Sequence, residues 1–177
     1  MRKSFFLDRD GLINVDYGYT HRLEDLVFIE FVLEGLARLS SIGDFFIVTN
    51  QSGIGRGYYS EDQFHQFMGL MFDRLNEYGV QIKDFRFCPH FSVSGSDVCI
   101  CRKPSPGMLV DLIKVHGIDP CNAFMLGDMI TDLEAGLRAG ITNNILIRDD
   151  DLYLSETQYF GFPRYSNLVE FADSLNG

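Results

Sequence analysis

The stretch of sequence that decides the fold is Ser4-Phe5-Phe6-Leu7-Asp8-Arg9-Asp10-Gly11. Its apolar run stops abruptly at two carboxylates placed two residues apart, which is typical of a buried strand followed by a turn. In an open α/β sheet, ligands bind outside the carboxyl ends of the strands, where we expect Asp8 and Asp10 to lie. If the backbone stays extended through both residues, their side chains point to the same side.

Two neighbouring carboxylates repel each other unless a cation lies between them. Mg²⁺ binds through one or two carboxylates together with substrate phosphate. One aspartate could then attack phosphorus while the other transfers a proton. An acidic turn without any chemistry explains the same residues, and the stretch alone leaves both interpretations open.

The composition is typical of a soluble globular protein with one sizeable core. The chain has 177 residues, of which 46% are hydrophobic and 23% are charged, as in ordinary domains. A formal net charge of −10 argues against nucleic acid as a partner. No apolar stretch reaches the roughly 20 residues that a membrane-spanning helix needs, and Met1-Arg2-Lys3 leads into the first strand without a signal sequence. We therefore expect a cytoplasmic protein with no membrane partner.

Strand and helix patterns alternate along the chain, which predicts an α/β fold of three layers, with a central parallel sheet covered on both faces. The predicted strands cover residues 5–7, 45–48, 82–87, 123–126 and 144–147. Amphipathic helices are predicted between them, the first over residues 30–42 and the second after a capping box that begins at Ser60. We expect a single domain over residues 1–177.

Polar and flexible residues follow the second predicted strand, namely Thr49, Asn50, Gln51, Ser52 and Gly53. Hydroxyl, amide and free backbone N–H groups can hold phosphate oxygens. A plain glycine-rich turn at a strand end is the alternative interpretation.

Four potential metal ligands lie close together in sequence, Cys88, His90, Cys99 and Cys101. Soft and borderline ligands in a Cys₃His set fit a tetrahedral Zn²⁺ site. A disulfide is disfavoured in a reducing compartment, no second histidine lies near enough in sequence to activate a catalytic thiol, and chance clustering is disfavoured because three of the four cysteines lie here. We interpret residues 88–101 as a structural zinc loop with no open coordination position. The remaining cysteine, Cys121, is expected to be a small core residue.

Charged residues complete the pattern at the third and fourth strand ends. Arg102 and Lys103 directly follow the last cysteine and could capture phosphate, although such a pair is usually solvated surface. Asp128 follows the fourth strand, with Asp132 four residues later. Asp128 could complete a cation site that Asp132 supports from outside, or it could merely stabilise the start of a helix. Taken together, the residues at the strand ends indicate phosphoryl transfer, because they could supply a nucleophile, a proton donor, a cation site and positive groups for phosphate.

With these motifs the chain resembles the haloacid dehalogenase superfamily of aspartyl phosphatases. The matching residues are Asp8-Arg9-Asp10-Gly11, Thr49-Asn50, Lys103, and Gly127-Asp128 with Asp132. The loop that reads Cys88-Pro89-His90 and then Cys99-Ile100-Cys101-Arg102-Lys103-Pro104 is similar to the zinc loop of the heptose bisphosphate and histidinol-phosphate phosphatases. The residues at 13–19, 49–57 and 103–109 are most similar to the heptose bisphosphate branch of that group.

The resemblance implies a monomeric phosphatase without a large cap domain, which uses Mg²⁺, contains Zn²⁺, and removes the 7-phosphate of a heptose 1,7-bisphosphate. Asp8 would form an aspartyl phosphate, and Asp10 would protonate the leaving oxygen and then activate water. Mg²⁺ would be held by Asp8, the backbone carbonyl of Asp10, and Asp128. Thr49 and Lys103 would hold the transferred phosphoryl group. The rest of the small phosphorylated sugar would contact Asp16, Tyr17, Gly18, Tyr19, Asn50, Gln51, Ser52 and Arg102.

Two positions depart from the pattern of the heptose enzymes. Met129 follows the Gly-Asp motif where those enzymes commonly have a lysine, and Leu12 replaces a common threonine. The first departure removes one expected phosphate contact, while neither one touches the nucleophile.

Three rival functions are compatible with parts of the sequence. Histidinol-phosphate phosphatases share the zinc loop, but the residues at 50–53 and 106–108 favour the heptose branch. A polynucleotide phosphatase is disfavoured by the acidic balance of charge. A non-catalytic binding module stabilised by zinc is disfavoured because the residues that carry the chemistry are all present, namely Asp8, Asp10, Lys103 and Asp128.

Overall fold

The computed structural model describes residues 2–91, 99–149 and 161–175 and contains a sheet of six parallel strands. The strands are β1 (Lys3–Leu7), β2 (Gly43–Asn50), β3 (Ile82–Cys88), β4 (Ala123–Gly127), β5 (Asn143–Ile147) and β6 (Arg164–Tyr165). The α-helices are α1 (Val32–Ser40), α2 (Ser52–Gly55), α3 (Glu61–Glu77), α4 (Gly107–His116), α5 (Ile130–Arg138) and α6 (Leu168–Ser174). The predicted α/β fold with a central parallel sheet is confirmed.

Strand β1 lies at the centre of the sheet, whose strand order is β3-β2-β1-β4-β5-β6. Leu7 at the end of β1 pairs with Ile47 on one side and Leu126 on the other. The residues that follow β1, β2 and β4 therefore emerge at the same edge of the sheet. Because the chain reverses direction across the sheet between β1 and β4, this edge is where a doubly wound fold opens a crevice for ligands.

The apolar run of β1 is continuous because the strand is buried on both faces, as is usual in a parallel sheet. Phe5 and Leu7 point into one core, which is covered by α1, α3 and α6. Phe6 points into a second core, which is covered by α4 and α5. On the first face the ring of Phe5 packs against Phe124 and Phe171, at centroid distances of 5.3 and 6.4 Å.

The capping box at the start of α3 is confirmed by reciprocal hydrogen bonds. The backbone N–H of Gln63 donates to the hydroxyl of Ser60 over 3.2 Å, and the N–H of Ser60 donates to the Gln63 side chain over 2.9 Å. Both bonds satisfy donors that the first turn of a helix leaves unpaired.

Other expectations differ from the structure in detail. The first helix begins at Val32 rather than at residue 30, because Phe31 has a left-handed φ of 65° that cannot continue a helix. The short strand β6 was not predicted. The prediction for Cys121 is wrong, since this cysteine is exposed in a 3₁₀ turn at Pro120–Asn122. No helix in the described ranges combines the length and the apolar character needed to cross a bilayer.

Candidate active site

A cleft of about 290 Å³ opens at the carboxyl ends of β1 and β2. Most residues predicted for the site line it, namely Asp8, Asp10, Asp16, Gly18, Tyr19, Thr49, Asn50, Gln51, Ser52, Lys103 and Asp132. Three further lining residues were not predicted as part of the site, Tyr59, Met129 and Thr131. Three other residues predicted for the site, Tyr17, Arg102 and Asp128, are not among the lining residues, and Tyr17 is 60% exposed. The structure thus brings together residues from separate strand ends, as the topology requires.

The ammonium group of Lys103 is buried between two carboxylates. Its Nζ donates to Asp8 Oδ1 over 2.5 Å and to the carbonyl of Val48 over 2.8 Å, and it lies 2.7 Å from Asp132 Oδ1. Burial favours the neutral amine, but the charges of Asp132 and Asp8 outweigh it and raise the pKa of Lys103 above its usual value. Lys103 therefore stays charged at neutral pH and holds the Asp8 carboxylate in place.

Asn50 fixes the backbone of Lys103 through both ends of its amide group. Its Nδ2 donates to the Lys103 carbonyl over 3.2 Å, and its Oδ1 accepts from the Lys103 N–H over 3.0 Å. These bonds attach the segment after the cysteine-rich loop to the end of β2. The sequence interpretation gave Asn50 a substrate contact and did not anticipate this role.

The carboxylate of Asp10 is held from the protein side of the cleft. Strand β1 ends at Leu7, and both aspartates that follow it line the same cleft. Arg9 Nη2 contacts the two carboxylate oxygens of Asp10 at 2.7 and 2.6 Å. Asn14 Nδ2 and Gln51 Nε2 donate to them over 3.0 and 2.9 Å. Sequence reasoning missed Arg9 and Asn14 as site residues, although a cation between two acids was a usable signal.

Gln51 links Asp10 to two hydroxyl groups. Its Nε2 also donates to Thr49 Oγ1 over 2.8 Å, and its Oε1 accepts from the Tyr59 hydroxyl over 2.6 Å. Burial raises the pKa of Tyr59 to about 12, so its hydroxyl stays protonated and remains a donor. The orientation of the Gln51 amide is therefore set by its protein neighbours.

Three carboxylates form a cluster beside this network, since oxygen atoms of Asp8, Asp128 and Asp132 all lie within 4.8 Å of one another. Burial, and then the neighbouring Asp132, raise the pKa of Asp128 to about 7. Asp128 Oδ1 is buried and has no hydrogen-bond partner among the described residues. Lys103 balances only part of this charge. Hard oxygen ligands with excess negative charge fit a divalent cation such as Mg²⁺.

Gly11 allows the loop after β1 to approach the carboxylate cluster. Its φ is +89°, and a Cβ atom at this position would lie 2.3 Å from Asp128 Oδ2. Any larger residue would push the Asp128 side chain out of its present position. The glycine of the opening motif is thus required both by the backbone conformation and by close contact with Asp128, which follows β4.

A second candidate metal site lies in the cysteine-rich loop, whose residues 92–98 are outside the described ranges. The ligand atoms of Cys88, His90, Cys99 and Cys101 lie within 4.8 Å of one another, and none of the cysteines forms a disulfide. Burial and the two neighbouring thiols raise the pKa of Cys101, because three thiolates cannot form side by side without a cation. The set fits one tetrahedral ion such as Zn²⁺.

Two arginines contact residues at the margin of the cleft. Arg102 Nη1 donates to the carbonyl of His90 over 3.3 Å, so the side chain lies against the cysteine-rich loop. Arg148 Nη1 lies 3.6 Å from Met129 Sδ and 3.4 Å from the carbonyl of Asp128. A guanidinium group therefore lies next to position 129, where the resemblance led us to expect a lysine.

Known proteins that are similar to this chain in sequence are phosphatases of one kind, and a family model matches part of the chain. A family model described as HAD-hydrolase-like matches residues 100–151. The D-glycero-beta-D-manno-heptose-1,7-bisphosphate 7-phosphatase of Haemophilus influenzae is 45% identical over 152 residues, which cover 84% of this chain and 83% of that protein. The protein of the same name from Haemophilus ducreyi is 39% identical over 180 residues, with 99% of each chain covered.

Among solved structures, the D,D-heptose 1,7-bisphosphate phosphatase from B. bronchiseptica, in complex with magnesium and phosphate, is similar over 98% of both chains. The TM-score is 0.84 and the sequence identity is 27%. The similarity therefore extends beyond the motifs to the arrangement of the whole sheet and its helices.

We predict that Gly11→Ala destabilises the protein more than Gly18→Ala does. Both glycines have positive φ values, of +89° and +77°, but only a Cβ at residue 11 would meet another group within 4 Å. Gly18→Ala should cost about 1–2 kcal/mol of unfolding free energy through backbone strain, and Gly11→Ala about 1 kcal/mol more. Urea unfolding of the three proteins measures the difference. Equal losses would mean that Asp128 moves aside freely.

Proposed function

The chain belongs to the heptose 1,7-bisphosphate 7-phosphatases of the haloacid dehalogenase superfamily, and we propose that it removes the 7-phosphate of D-glycero-D-manno-heptose 1,7-bisphosphate. The observation that carries the proposal is the cleft in which Asp8 lies against Lys103 with Asp10 in the same wall. A nucleophile, a proton donor and a fixed cation are the groups that hydrolysis through an aspartyl phosphate needs.

Asp8 is proposed as the nucleophile. Burial raises the pKa of its carboxyl well above the usual value, while the charge of Lys103 opposes this effect. The ammonium therefore helps to keep Asp8 ionised and orients it, and Thr49 and Lys103 are proposed to bind the phosphoryl oxygens. As Asp8 attacks phosphorus, Asp10 gives a proton to the departing sugar oxygen, and it later removes a proton from the water that hydrolyses the aspartyl phosphate.

The carboxylates of Asp8 and Asp128, with the backbone carbonyl of Asp10, are proposed to hold Mg²⁺, which would neutralise charge on the phosphoryl group. The buried Oδ1 of Asp128, which has no hydrogen-bond partner in the part of the chain that the structure describes, supports this assignment. Asp132 is proposed as a supporting residue because it pairs with Lys103 at 2.7 Å rather than facing solvent.

Contacts to the rest of the sugar are proposed for Asn50, Gln51 and Ser52 and for the loop at 16–19. Arg102 is proposed to bind the distal phosphate, and Arg148 beside Met129 supports a positive environment at the other side of the cleft. A substrate with a phosphate at each end benefits from cations beyond the reaction centre.

We further propose a single domain over residues 1–177 that works as a monomer in the cytoplasm, without nucleic-acid or membrane partners. The net charge of −10 supports the exclusion of nucleic acid. The free thiols of the cysteine-rich loop support a reducing compartment. The monomeric state rests on the resemblance to the superfamily.

We predict that Asp8→Asn abolishes turnover and leaves the fold intact, because the amide keeps the shape of the side chain but cannot attack phosphorus. Loss of a nucleophile is expected to lower kcat on the order of 10⁴-fold or more. Phosphate release and circular dichroism measure the two effects. Asp111→Asn, at an exposed carboxylate that pairs with Arg86, is the control and should retain normal activity. Near-normal turnover by Asp8→Asn would refute the assignment.

We predict one tightly bound Zn²⁺ per chain with a structural role. Elemental analysis of protein purified without added metal should detect it, and Cys99→Ser should lower both the zinc content and, by at least about 5 °C, the Tm. Cys121→Ser is the matched control, since Cys121 is exposed and lies outside the ligand set. Zinc-free protein with full stability and activity would contradict the prediction.

We predict that a heptose 1,7-bisphosphate is a far better substrate than histidinol phosphate, whose cationic end would be repelled by Arg102. One charge-assisted contact is worth roughly 1.5–3 kcal/mol, or about one to two powers of ten in kcat/KM. Parallel assays with the α and β bisphosphates and with histidinol phosphate measure the preference. NMR of the product should show the 1-phosphate retained. If histidinol phosphate is the best of the three, the heptose assignment is wrong.

A further inference from the structure

Arg9 is a fully buried cation in the middle of the motif that carries both aspartates. None of its side chain is exposed. The guanidinium group lies 4.8 Å from the ring centroid of Phe67 and 5.6 Å from that of Phe64, both on α3. Burying a charge is costly unless it is paired, and the aromatic faces recover only part of that cost.

The contacts of this guanidinium group are concentrated on one nitrogen. Nη2 contacts the two carboxylate oxygens of Asp10 at 2.7 and 2.6 Å and donates to the carbonyl of Thr20 over 2.8 Å. Nε and Nη1 are buried without a partner among the described residues. Arginine–carboxylate pairs frequently use both prongs of the guanidinium fork, whereas Arg9 contacts Asp10 through one nitrogen only. Its arrangement directs a single charged donor at Asp10.

The remaining partners of Asp10 complete a fixed setting for its carboxylate. Asn14 Nδ2 donates to Oδ1 and also to the carbonyl of Val15, over 3.0 and 2.9 Å. Gln51 Nε2 donates to Oδ2 over 2.9 Å, and its amide is itself held by Thr49 and Tyr59. Every partner is a donor, which suits the carboxylate that remains once a proton has left.

We propose that Arg9 is a positioning residue that fixes the Asp10 carboxyl group for proton transfer to the leaving oxygen, an inference that rests on the role of Asp10 proposed above. As an Asp8 oxygen bonds to phosphorus, the bond from phosphorus to the sugar oxygen breaks. The carboxyl proton of Asp10 passes to that oxygen, and the resulting carboxylate stays paired with Arg9. A group held within reach of the departing atom transfers its proton far more effectively than a freely rotating one.

The test compares two leaving groups in Arg9→Met, Arg9→Lys and the control Arg74→Met, which changes an exposed arginine on α3. A sugar alkoxide needs a proton to depart, whereas the nitrophenolate of p-nitrophenyl phosphate leaves without one. The quantity compared is kcat/KM with Mg²⁺ present, because it reports the steps up to departure of the leaving group.

We expect Arg9→Met to lower kcat/KM for the heptose bisphosphate by about 10–100-fold, which is part of what general acid catalysis contributes. The same substitution should lower kcat/KM for p-nitrophenyl phosphate by less than about threefold. Arg9→Lys, which keeps the charge but loses the planar geometry, should fall between Arg9→Met and the unaltered protein. Arg74→Met should change neither value. If Arg9 had a purely structural role, Arg9→Met would lower kcat/KM for both substrates by the same factor.

Asp10→Asn provides the reference for the same comparison and should show the same substrate dependence with a larger loss. Suppose instead that Asp10→Asn lowers kcat/KM mainly for the heptose bisphosphate while the Arg9 variants lower kcat/KM equally for both substrates, or for neither. In that case the positioning role is overturned and the proposed function stands. If Asp10→Asn is itself unselective, the proposed role of Asp10 fails and the inference falls with it. Should Arg9→Met not fold, Arg9→Lys decides by the same criteria.

Discussion

The cleft depends on one interaction, the burial of the Lys103 ammonium between the carboxylates of Asp8 and Asp132. Nζ lies 2.5 and 2.7 Å from the two oxygens, and only 2% of the lysine side chain is exposed. Removing Lys103 would leave two neighbouring carboxylates in the interior without their shared balancing charge. Because Nζ also donates to the carbonyl of Val48, the interaction joins β1, β2 and α5. The position of the Asp8 carboxylate is therefore a property of the folded core rather than of a loop.

The grouping of Asp8, Thr49 and Asp128 was predictable because topology decides it. Alternating strands and helices predict a parallel sheet, and parallel strands bring their last residues to one edge. The pairing of Leu7 with both Ile47 and Leu126 realises this arrangement. The Cys₃His set was predictable for a different reason, since its ligands are close in sequence and their chemistry is narrow.

The hydrogen-bond partners of polar side chains were not predictable from sequence. An amide binds peptide groups, carboxylates and sugars equally well, so residue type could not reveal that Asn50 holds the Lys103 backbone or that Gln51 holds Asp10. The burial of Arg9 depends on the rings of α3, which are far away in sequence. Cys121 was assigned to the core because it is small and apolar, but its place in a short turn leaves it exposed.

The distance along the chain between Cys101 and Lys103 has a consequence for redox chemistry. A single residue separates the last thiol of the Cys₃His set from the ammonium-bearing residue of the cleft. Oxidation of these thiols would alter the chain directly beside the residue whose ammonium holds the Asp8 carboxylate. Peroxide could thus inactivate hydrolysis without modifying any group that touches the substrate, and reduction of a reversible oxidation product would restore it. Thiol chemistry at the Cys₃His set would then act on the cleft through the short piece of chain that joins them.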